Sequence, residues 1–219
     1  MSRGPFDPSL EGLPGTLPIF PLTGVLLLPG SRLPLNIFEP RYLALFDDAL
    51  AGSRLVGMIQ PARAEDEHES EAPEVQATGC AGRITSFNET DDGRYLVTLT
   101  GLIRFDVEKE LSPLSYRRIE PSYLRYHHDL AESDPVIDRP RLMAAQKVYF
   151  KARSIHGDWA SMDDAPAEAL INSLCMFCPF EPGEKQALLE AINLGQRAEV
   201  LTALLEMSVH DRGGETATH

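Results

Sequence analysis

The segment Cys175-Met-Phe-Cys178 places two cysteines at a spacing that is typical of redox-active thiols and of zinc sites. A reactive thiolate is stabilised at a helix N-terminus, whereas this pair falls at the end of a predicted helix, directly before Pro179. A zinc site needs two further ligands, and the sequence has no second Cys-x-x-Cys and no matching histidine spacing. We therefore predict two thiols that pack in the core as small hydrophobic side chains, with no metal ion.

A second group with chemical potential is His127-His128-Asp129, which suggests a metal site or a general base. Adjacent residues of a strand point to opposite faces, so one ion is not easily shared by both histidines, and we favour a solvated pair in a loop. The sequence contains no G-x-x-x-x-G-K-[ST], G-x-S-x-G or H-E-x-x-H motif, although spacing alone leaves a Ser/Lys dyad open. We therefore expect a protein that is not an enzyme, with no catalytic residue and no cofactor.

The charge and composition of the 219-residue chain limit its partners. Its formal net charge is −13, so its averaged field repels nucleic acid and anionic membranes. No segment approaches the roughly 18 uninterrupted apolar residues that span a bilayer, and the N-terminus lacks the pattern of a signal peptide. Three cysteines, an odd number without a disulfide framework, suit a reducing compartment. We expect a cytoplasmic protein with no membrane contact, for which nucleic acid is a disfavoured partner.

The elements that would position any site begin in an apolar, proline-rich stretch, LPIFPLTGVLLLPGSRLPLNIFEPRY. We predict one strand at Val25–Leu28, from its continuous apolar run, and a second strand at Leu33–Ile37, from its alternation. Pro29 and Gly30 form a turn signal between the two, and Pro34 is confined to a strand end, a bulge or an edge because it cannot donate a backbone hydrogen bond. Short, bent strands of this kind are typical of a small barrel.

From Pro40 the apolar period becomes that of a helix, which we expect to end at Gly52. Pro40 fits the first helical turn, and Glu39 then lies beside the positive end of the helix dipole. Arg54–Gln60 has the pattern of another strand. The following segment, Ala62–Val75, is acidic and almost free of apolar residues, so we predict a solvated, mobile loop.

A hairpin is predicted after this loop. Ala81–Phe87 and Tyr95–Leu99 have strand patterns, and Asp92-Gly93 between them is a strong turn signal. The alternation of Ile103–Val107 predicts a third strand of the meander, and Arg117–Tyr126 is a weaker strand candidate.

The C-terminal part has a different periodicity. The composition becomes polar between Asp129 and Pro135, and every later periodic segment is helical. We predict a compact bundle of four helices, at Pro140–Ile155, Pro166–Phe177, Gly183–Ile192 and Gln196–Met207. The predicted organisation is an N-terminal tail (1–15), a β-barrel subdomain (16–128), a helical bundle subdomain (129–209) and a C-terminal tail (210–219).

Three blocks of the sequence resemble a known family. They are LPIFPLTGVLLLPGSRLPLNIFEPRY, GCAGRITSFNETDDGRYLVTLTGLIRFDV and ALINSLCMFCPFEPGEKQALLEAINLGQRAEVLTALLEM, which together look like the bacterial stand-alone form of the Lon protease N-terminal, substrate-binding domain. The resemblance runs from about Leu17 to Met207. It implies an α+β fold, in which a PUA-like pseudo-barrel of about six strands with one embedded helix precedes a C-terminal helical bundle.

The resemblance also implies a function. In the full protease this domain binds polypeptide substrates and helps to assemble the ring, and separate ATPase and Ser/Lys peptidase domains do the cutting. This sequence ends about ten residues after its last predicted helix. The expected function is therefore a non-catalytic module that binds unfolded or extended polypeptides, as an adaptor that presents clients to a protease or chaperone. The alternative hypothesis is an RNA-binding PUA-like protein, and an uncharacterised enzyme is a third.

Candidate binding residues come from the same apolar stretch. In a strand at Val25–Leu28 successive side chains face opposite sides, so either Val25 and Leu27 or Leu26 and Leu28 face away from the barrel interior. Of these residues we take Leu26 and Leu28 as candidates for substrate binding. The remaining candidates are Phe38, Glu39, Arg41 and Tyr42 of the FEPRY segment. We favour a structural role for this segment, in which Tyr42 packs and Arg41 pairs with an acidic residue across the barrel, over direct binding.

Overall fold

The computed structural model describes residues 6–63, 74–131, 136–155 and 164–215, with side chains as far as residue 208. Spatial proximity divides the chain into two compact units, Met1–Glu132 and Ser133–His219. Residues 64–73, the main part of the predicted acidic loop, lie outside the described residues, as do the ends of both predicted tails.

The first unit contains a sheet that, in the described residues, has six strands. They are β1 (Leu17–Pro21), β2 (Arg32–Ile37), β3 (Leu55–Ile59), β4 (Thr78–Glu89), β5 (Tyr95–Glu110) and β6 (Arg118–Ser122). The spatial order is β2-β5-β4-β3-β1-β6, with β1 and β3 parallel and the other neighbours antiparallel. Because β6 also pairs with β5, the pairings run in a circuit from β5 through β4, β3, β1 and β6 back to β5. Strand β2 is attached to β5 outside this circuit.

The prediction of a strand at Val25–Leu28 is wrong. The N-terminal strand of the sheet is the earlier segment Leu17–Pro21, and residues 25–28 form an irregular segment before the turn at Pro29 and Gly30. This segment is irregular because it packs on a face of the sheet where two paired residues are glycines and present no side chains.

Two glycines of the sheet create the space for this segment. Gly82 of β4 lies opposite Gly101 of β5. A Cβ on Gly82 would lie 2.6 Å from Leu27 Cδ2, and a Cβ on Gly101 would lie 2.7 Å from the carbonyl carbon of Leu28. The N–H of Gly101 also donates to the carbonyl oxygen of Ser31 at 2.8 Å. The apolar run therefore packs flat on the glycine pair and does not form a strand of its own.

Strand β5 also differs from the prediction. The two strands predicted at Tyr95–Leu99 and Ile103–Val107 are one continuous strand of 16 residues, because Gly101 does not interrupt the pairing. The register between β4 and β5 shifts at Ala81/Gly82 and again at Ile84/Ser86. Such bulges bend a strand. The first half of β5 pairs with β2, and its last residues pair with β6.

The helix predicted from Pro40 is confirmed as α1 (Pro40–Ala51), with Glu39 at its N-cap and Gly52 at its C-cap. The apolar face of α1 is buried, including Leu45 and Phe46. A short 3-10 helix, Leu124–Leu130, follows β6.

The second unit consists, in its described residues, of four α-helices: α2 (Arg139–Ala152), α3 (Ala167–Phe177), α4 (Pro182–Glu190) and α5 (Leu194–Glu215). They correspond to the four predicted helices, although α5 continues to Glu215, into the segment predicted as a tail. Helix α5 contacts each of the other three. Tyr149, Ile171 and Leu201 are among the side chains that are fully buried in this unit. No helix of the described residues is both long and apolar enough to cross a bilayer.

Candidate functional site

The cysteine pair is not a reactive centre. Cys175 lies in the last turn of α3 and Cys178 directly follows the helix, and both thiols are free and fully buried, as predicted. Burial raises the pKa of each thiol to about 12. A thiol with so high a pKa is protonated near neutral pH and is a poor nucleophile and metal ligand. Within the described residues, no group of three or more His, Cys, Asp and Glu side chains is placed to hold a metal ion.

The paired histidines lie in the 3-10 helix Leu124–Leu130, not in the predicted loop. The ring of His127 contacts the carbonyl oxygen of Leu124 at 2.9 Å, and His128 Nε2 lies 3.8 Å from Asp129 Oδ1. The neighbouring carboxylate is already engaged, because Asp129 binds the guanidinium of Arg104 through both of its oxygens, at 2.7 and 2.8 Å. The carboxylate of Asp129 is thus committed to Arg104 and is not free to orient a general base.

Arg104 is a buried charge that the sequence pattern did not predict. Its side chain is 1% exposed, its guanidinium lies 4.2 Å from the centre of the Tyr126 ring, and its own backbone N–H also donates to Asp129, at 3.0 Å. The alternation of β5 suggested an outward arginine, whereas residues 101–105 are all buried. The burial of Arg104 depends on the carboxylate of Asp129, which is 25 residues away in the chain and gives no local pattern.

Three of the six predicted binding residues are buried. Leu26 and Leu28 are 3% and 0% exposed, so they do not form the surface pair for substrate binding that we predicted. The physical reason is the packing of the segment on Gly82 and Gly101. Tyr42 is 8% exposed and its ring makes an edge contact with Phe20, with 4.2 Å between the ring centres.

Glu39 and Arg41 form a local pair at the start of α1. The Nε of Arg41 donates to a carboxylate oxygen of Glu39 at 2.9 Å, and the guanidinium lies 4.6 Å from the centre of the Tyr42 ring. This acidic partner lies two residues away in the chain, whereas we expected one across the barrel from the sequence. The structure therefore brings Glu39, Arg41 and Tyr42 together.

Phe38 is the most exposed of the predicted binding residues, with 60% of its area exposed. Asn36 lies opposite Leu96 of β5, and the side chains of opposed residues share a face of the sheet. Leu96 is 47% exposed. Phe38 continues the same alternation two residues beyond Asn36, and the guanidinium of Arg94 lies 5.9 Å from the centre of its ring. Two large apolar side chains are therefore presented to solvent on one face.

These side chains adjoin a strand edge that has no neighbour among the described residues. Strand β2 pairs with β5 on one side, and no further strand pairs with its other side. Its exposed residues, Arg32, Pro34 and Asn36, alternate with the half-buried or buried Leu33, Leu35 and Ile37. We call Arg32, Pro34, Asn36, Phe38 and Leu96 the β2 edge surface. Of the predicted binding residues it contains Phe38, while Leu96 was missed although it is the apolar residue on the outward side of its strand.

A protein-family comparison assigns most of the chain to one domain. The model of the ATP-dependent protease La (LON) substrate-binding domain matches residues 16–207. Among curated relatives, the Lon protease of Flavobacterium johnsoniae is 28% identical over 86% of this chain and 23% of its own length. Lon protease 2 of Sorangium cellulosum is 29% identical over 93% of this chain and 26% of its own length. The chain thus spans about a quarter of the length of these relatives.

Solved structures agree with this assignment. A Lon N-terminal domain protein from Xanthomonas campestris superposes with a TM-score of 0.59 at 26% identity, covering 86% of this chain and 97% of that one. The N-terminal domain of a Mycobacterium avium complex Lon protease superposes with a TM-score of 0.58 at 17% identity, covering 87% and 97%. The second likeness is one of fold alone.

Proposed function

The chain belongs to the ATP-dependent protease La (LON) substrate-binding domain family, and on this premise we propose that it is a non-catalytic module that binds unfolded or extended polypeptides. The observation that carries the proposal is the family match over residues 16–207, which covers most of each compact unit. We further propose that the circuit of strand pairings is a PUA-like pseudo-barrel and that the four C-terminal helices are a bundle.

The β2 edge surface supports polypeptide binding. Phe38 and Leu96 expose apolar area that a ligand can remove from water, which is the main driving force of association. Beside them the outer edge of β2 offers backbone hydrogen-bonding groups, to which extended chains add in many peptide complexes. A non-native polypeptide supplies both apolar side chains and free backbone groups.

The chemistry of the described residues supports a binding role without catalysis. The two cysteines of the Cys-x-x-Cys segment are buried and protonated, and the carboxylate of Asp129, beside the histidine pair, is held by Arg104. We propose that the chain acts in the cytoplasm as an adaptor that presents bound clients to a protease or chaperone.

The dense groups of basic residues in the sequence, Arg117-Arg118 and Arg139/Arg141, are engaged within the protein. Arg117 makes a bidentate pair with Glu110 at 2.6 and 2.7 Å, and Arg118 donates to the carbonyl oxygen of Ser112. In the second unit Arg141 makes a bidentate pair with Glu206 at 2.9 and 2.7 Å. Phosphate binding would have to replace these partners, which disfavours the RNA-binding alternative.

Fluorescence anisotropy with a labelled, permanently unfolded polypeptide tests the proposal. Reduced and carboxymethylated α-lactalbumin is a suitable probe, with its native, disulfide-bonded form as the matched control. We expect saturable binding of the unfolded form that persists from about 50 to 200 mM salt, because apolar burial drives it. RNA binding would instead weaken by orders of magnitude over this range. Saturable, salt-sensitive binding of a single-stranded RNA, with no binding of the unfolded protein, would contradict the proposal.

A further inference from the structure

The outer edge of β2 has a defined set of backbone donors and acceptors. The N–H of Gly101 donates to the carbonyl of Ser31, so the carbonyl of Ser31 faces β5, while its own N–H donates to the carbonyl of Leu28. In an antiparallel pair these groups alternate along the strand. Leu33, Leu35 and Ile37 therefore bond to β5, and Arg32, Pro34 and Asn36 turn their groups to the outside.

Pro34 fits this assignment, since a proline has no N–H and is tolerated where that side of the strand faces solvent. The outward edge therefore offers the carbonyls of Arg32, Pro34 and Asn36 and the N–H groups of Arg32 and Asn36. Among the described residues these groups have no partner across that edge.

The side chains along this edge specify what can lie beside it. Phe38 presents an exposed ring at one end. Arg32, at the other end, is exposed and has no carboxylate partner in the described part of the chain, whereas Arg41 and Arg94 are paired with Glu39 and Asp92. An edge with a ring at one end and an uncompensated positive charge at the other is complementary to an apolar and an acidic side chain.

From this geometry we infer that β2 binds an extended polypeptide segment as an added antiparallel strand, with an apolar residue beside Phe38 and an acidic residue six positions later beside Arg32. Opposed residues share a face, so the first, third, fifth and seventh ligand residues lie opposite Phe38, Asn36, Pro34 and Arg32. The N–H groups of the third, fifth and seventh residues donate to the outward carbonyls of β2. This inference rests on the proposed function and names the site and the class of segment.

A second copy of the same strand is a poorer occupant. If two β2 strands paired about Pro34, Arg32 of one copy would lie opposite Asn36 of the other, which offers no carboxylate. The net charge of −13 on each copy also opposes association. The edge is therefore better matched to a different polypeptide that carries the acidic residue.

Backbone methylation of a synthetic peptide tests the hydrogen bonds without altering the protein. The probe is a fluorescein-labelled peptide with leucine at its first position, glutamate at its seventh, and valine and threonine between. N-methylation at the third and fifth positions should weaken its binding to the full chain by roughly tenfold or more. Methylation at the fourth and sixth positions, which face away from β2, should change the affinity by less than about threefold. Equal losses for the two methylated peptides would overturn the inference.

Variants of the chain test the same edge from the other side. Asn36→Pro removes an outward N–H and leaves the bonds to β5 intact, so it should weaken binding by roughly tenfold, while Asn36→Ala should not. Arg32→Glu should weaken binding of the glutamate peptide and favour a peptide with lysine at the seventh position. Circular dichroism should show that both Asn36 variants are folded like the parent. If the two folded variants then bind the peptide with equal affinity, the peptide does not bind as an added strand.

The unfolded-protein assay separates this inference from the proposed function. If unfolded α-lactalbumin binds but the methylation and Asn36 tests show no edge dependence, the β2 site is wrong and polypeptide binding stands. If no polypeptide binds, both fail. Sedimentation velocity provides the last arm, since a dimer of the parent that Asn36→Pro dissociates would identify a second copy as the occupant and overturn the inference.

Discussion

The carbonyl group of Leu28 lies directly against the Cα of Gly101, so that a Cβ at this glycine would fall 2.7 Å from the Leu28 carbonyl carbon. Two backbones approach here with no side chain between them. This contact fixes the segment that precedes β2 and thereby the start of the strand that carries the candidate edge.

Gly101→Ala is expected to destabilise the first unit by about 3 kcal/mol, because the added methyl group meets backbone that cannot move aside as a flexible side chain would. Urea unfolding followed by far-UV circular dichroism measures this. Gly15→Ala is the matched control, since nothing lies within 4 Å of its added Cβ and its φ is not positive. Its stability should stay within about 1 kcal/mol of the parent. Equal stabilities of the two variants would contradict the close approach.

Asp129→Asn should destabilise the same unit by about 3 to 5 kcal/mol, because it leaves the guanidinium of Arg104 buried without its counter-charge. Glu110→Gln is a suitable comparison, since its pair with Arg117 is partly solvated and should contribute less than about 1 kcal/mol. Thermal and urea unfolding of the two variants report the difference. If Asp129→Asn lowers the free energy of unfolding by no more than Glu110→Gln does, the buried pair stabilises the unit no more than the partly solvated one.

Alkaline pH should destabilise the folded chain partly through Tyr116. Burial, together with the hydrogen bond that its hydroxyl donates to Asp48, raises the pKa of Tyr116 from 10.0 to about 12. The folded state holds this proton more tightly than the unfolded state, so the stabilisation is present below pH 10 and is lost as the pH rises towards 12. Tyr116→Phe should show a shallower decline of unfolding free energy over this range. An unchanged slope would contradict the assignment.

The thiols Cys175 and Cys178 should resist modification in the native chain. Burial raises the pKa of both to about 12, so the thiolate fraction near pH 8 is small and access is blocked. Ellman's reagent should react with them slowly in buffer and rapidly in guanidinium chloride. Rapid labelling of either residue in the native protein, located by mass spectrometry, would restore the redox interpretation of the Cys-x-x-Cys segment.

The sequence predicted those elements whose signals are local. The helix at Pro40–Ala51 follows from its period, its proline and its terminal glycine, and the hairpin turn at Asp92-Gly93 follows from its dipeptide. The irregular segment at residues 25–28 was mistaken for a strand, because an apolar run has the same pattern whether it pairs or packs on glycines. The glycines that decide the matter are more than 50 residues away in the chain.

The candidate site was predicted only in part, for the same reason. Phe38 was one of the four candidates in its segment, but the importance of Leu96 depends on the register that places it opposite Asn36. The burial of Arg104 depends on a carboxylate from a separate element, and strand alternation alone predicts the opposite orientation. Contacts between residues that are distant in the chain leave no periodic pattern in the sequence, so these features could not be predicted from it.

Hydrogen exchange, measured with and without an unfolded polypeptide, tests most directly whether the chain binds polypeptides and whether they bind at β2. We expect the added polypeptide to slow exchange in the fragment that contains β2, through the outward amides of Arg32 and Asn36, and to leave α2 to α5 unchanged. Mass spectrometry of proteolytic fragments, at a saturating concentration of carboxymethylated α-lactalbumin, provides the measurement. Protection confined to the helices would contradict the β2 site, and unchanged exchange throughout the chain would contradict polypeptide binding itself.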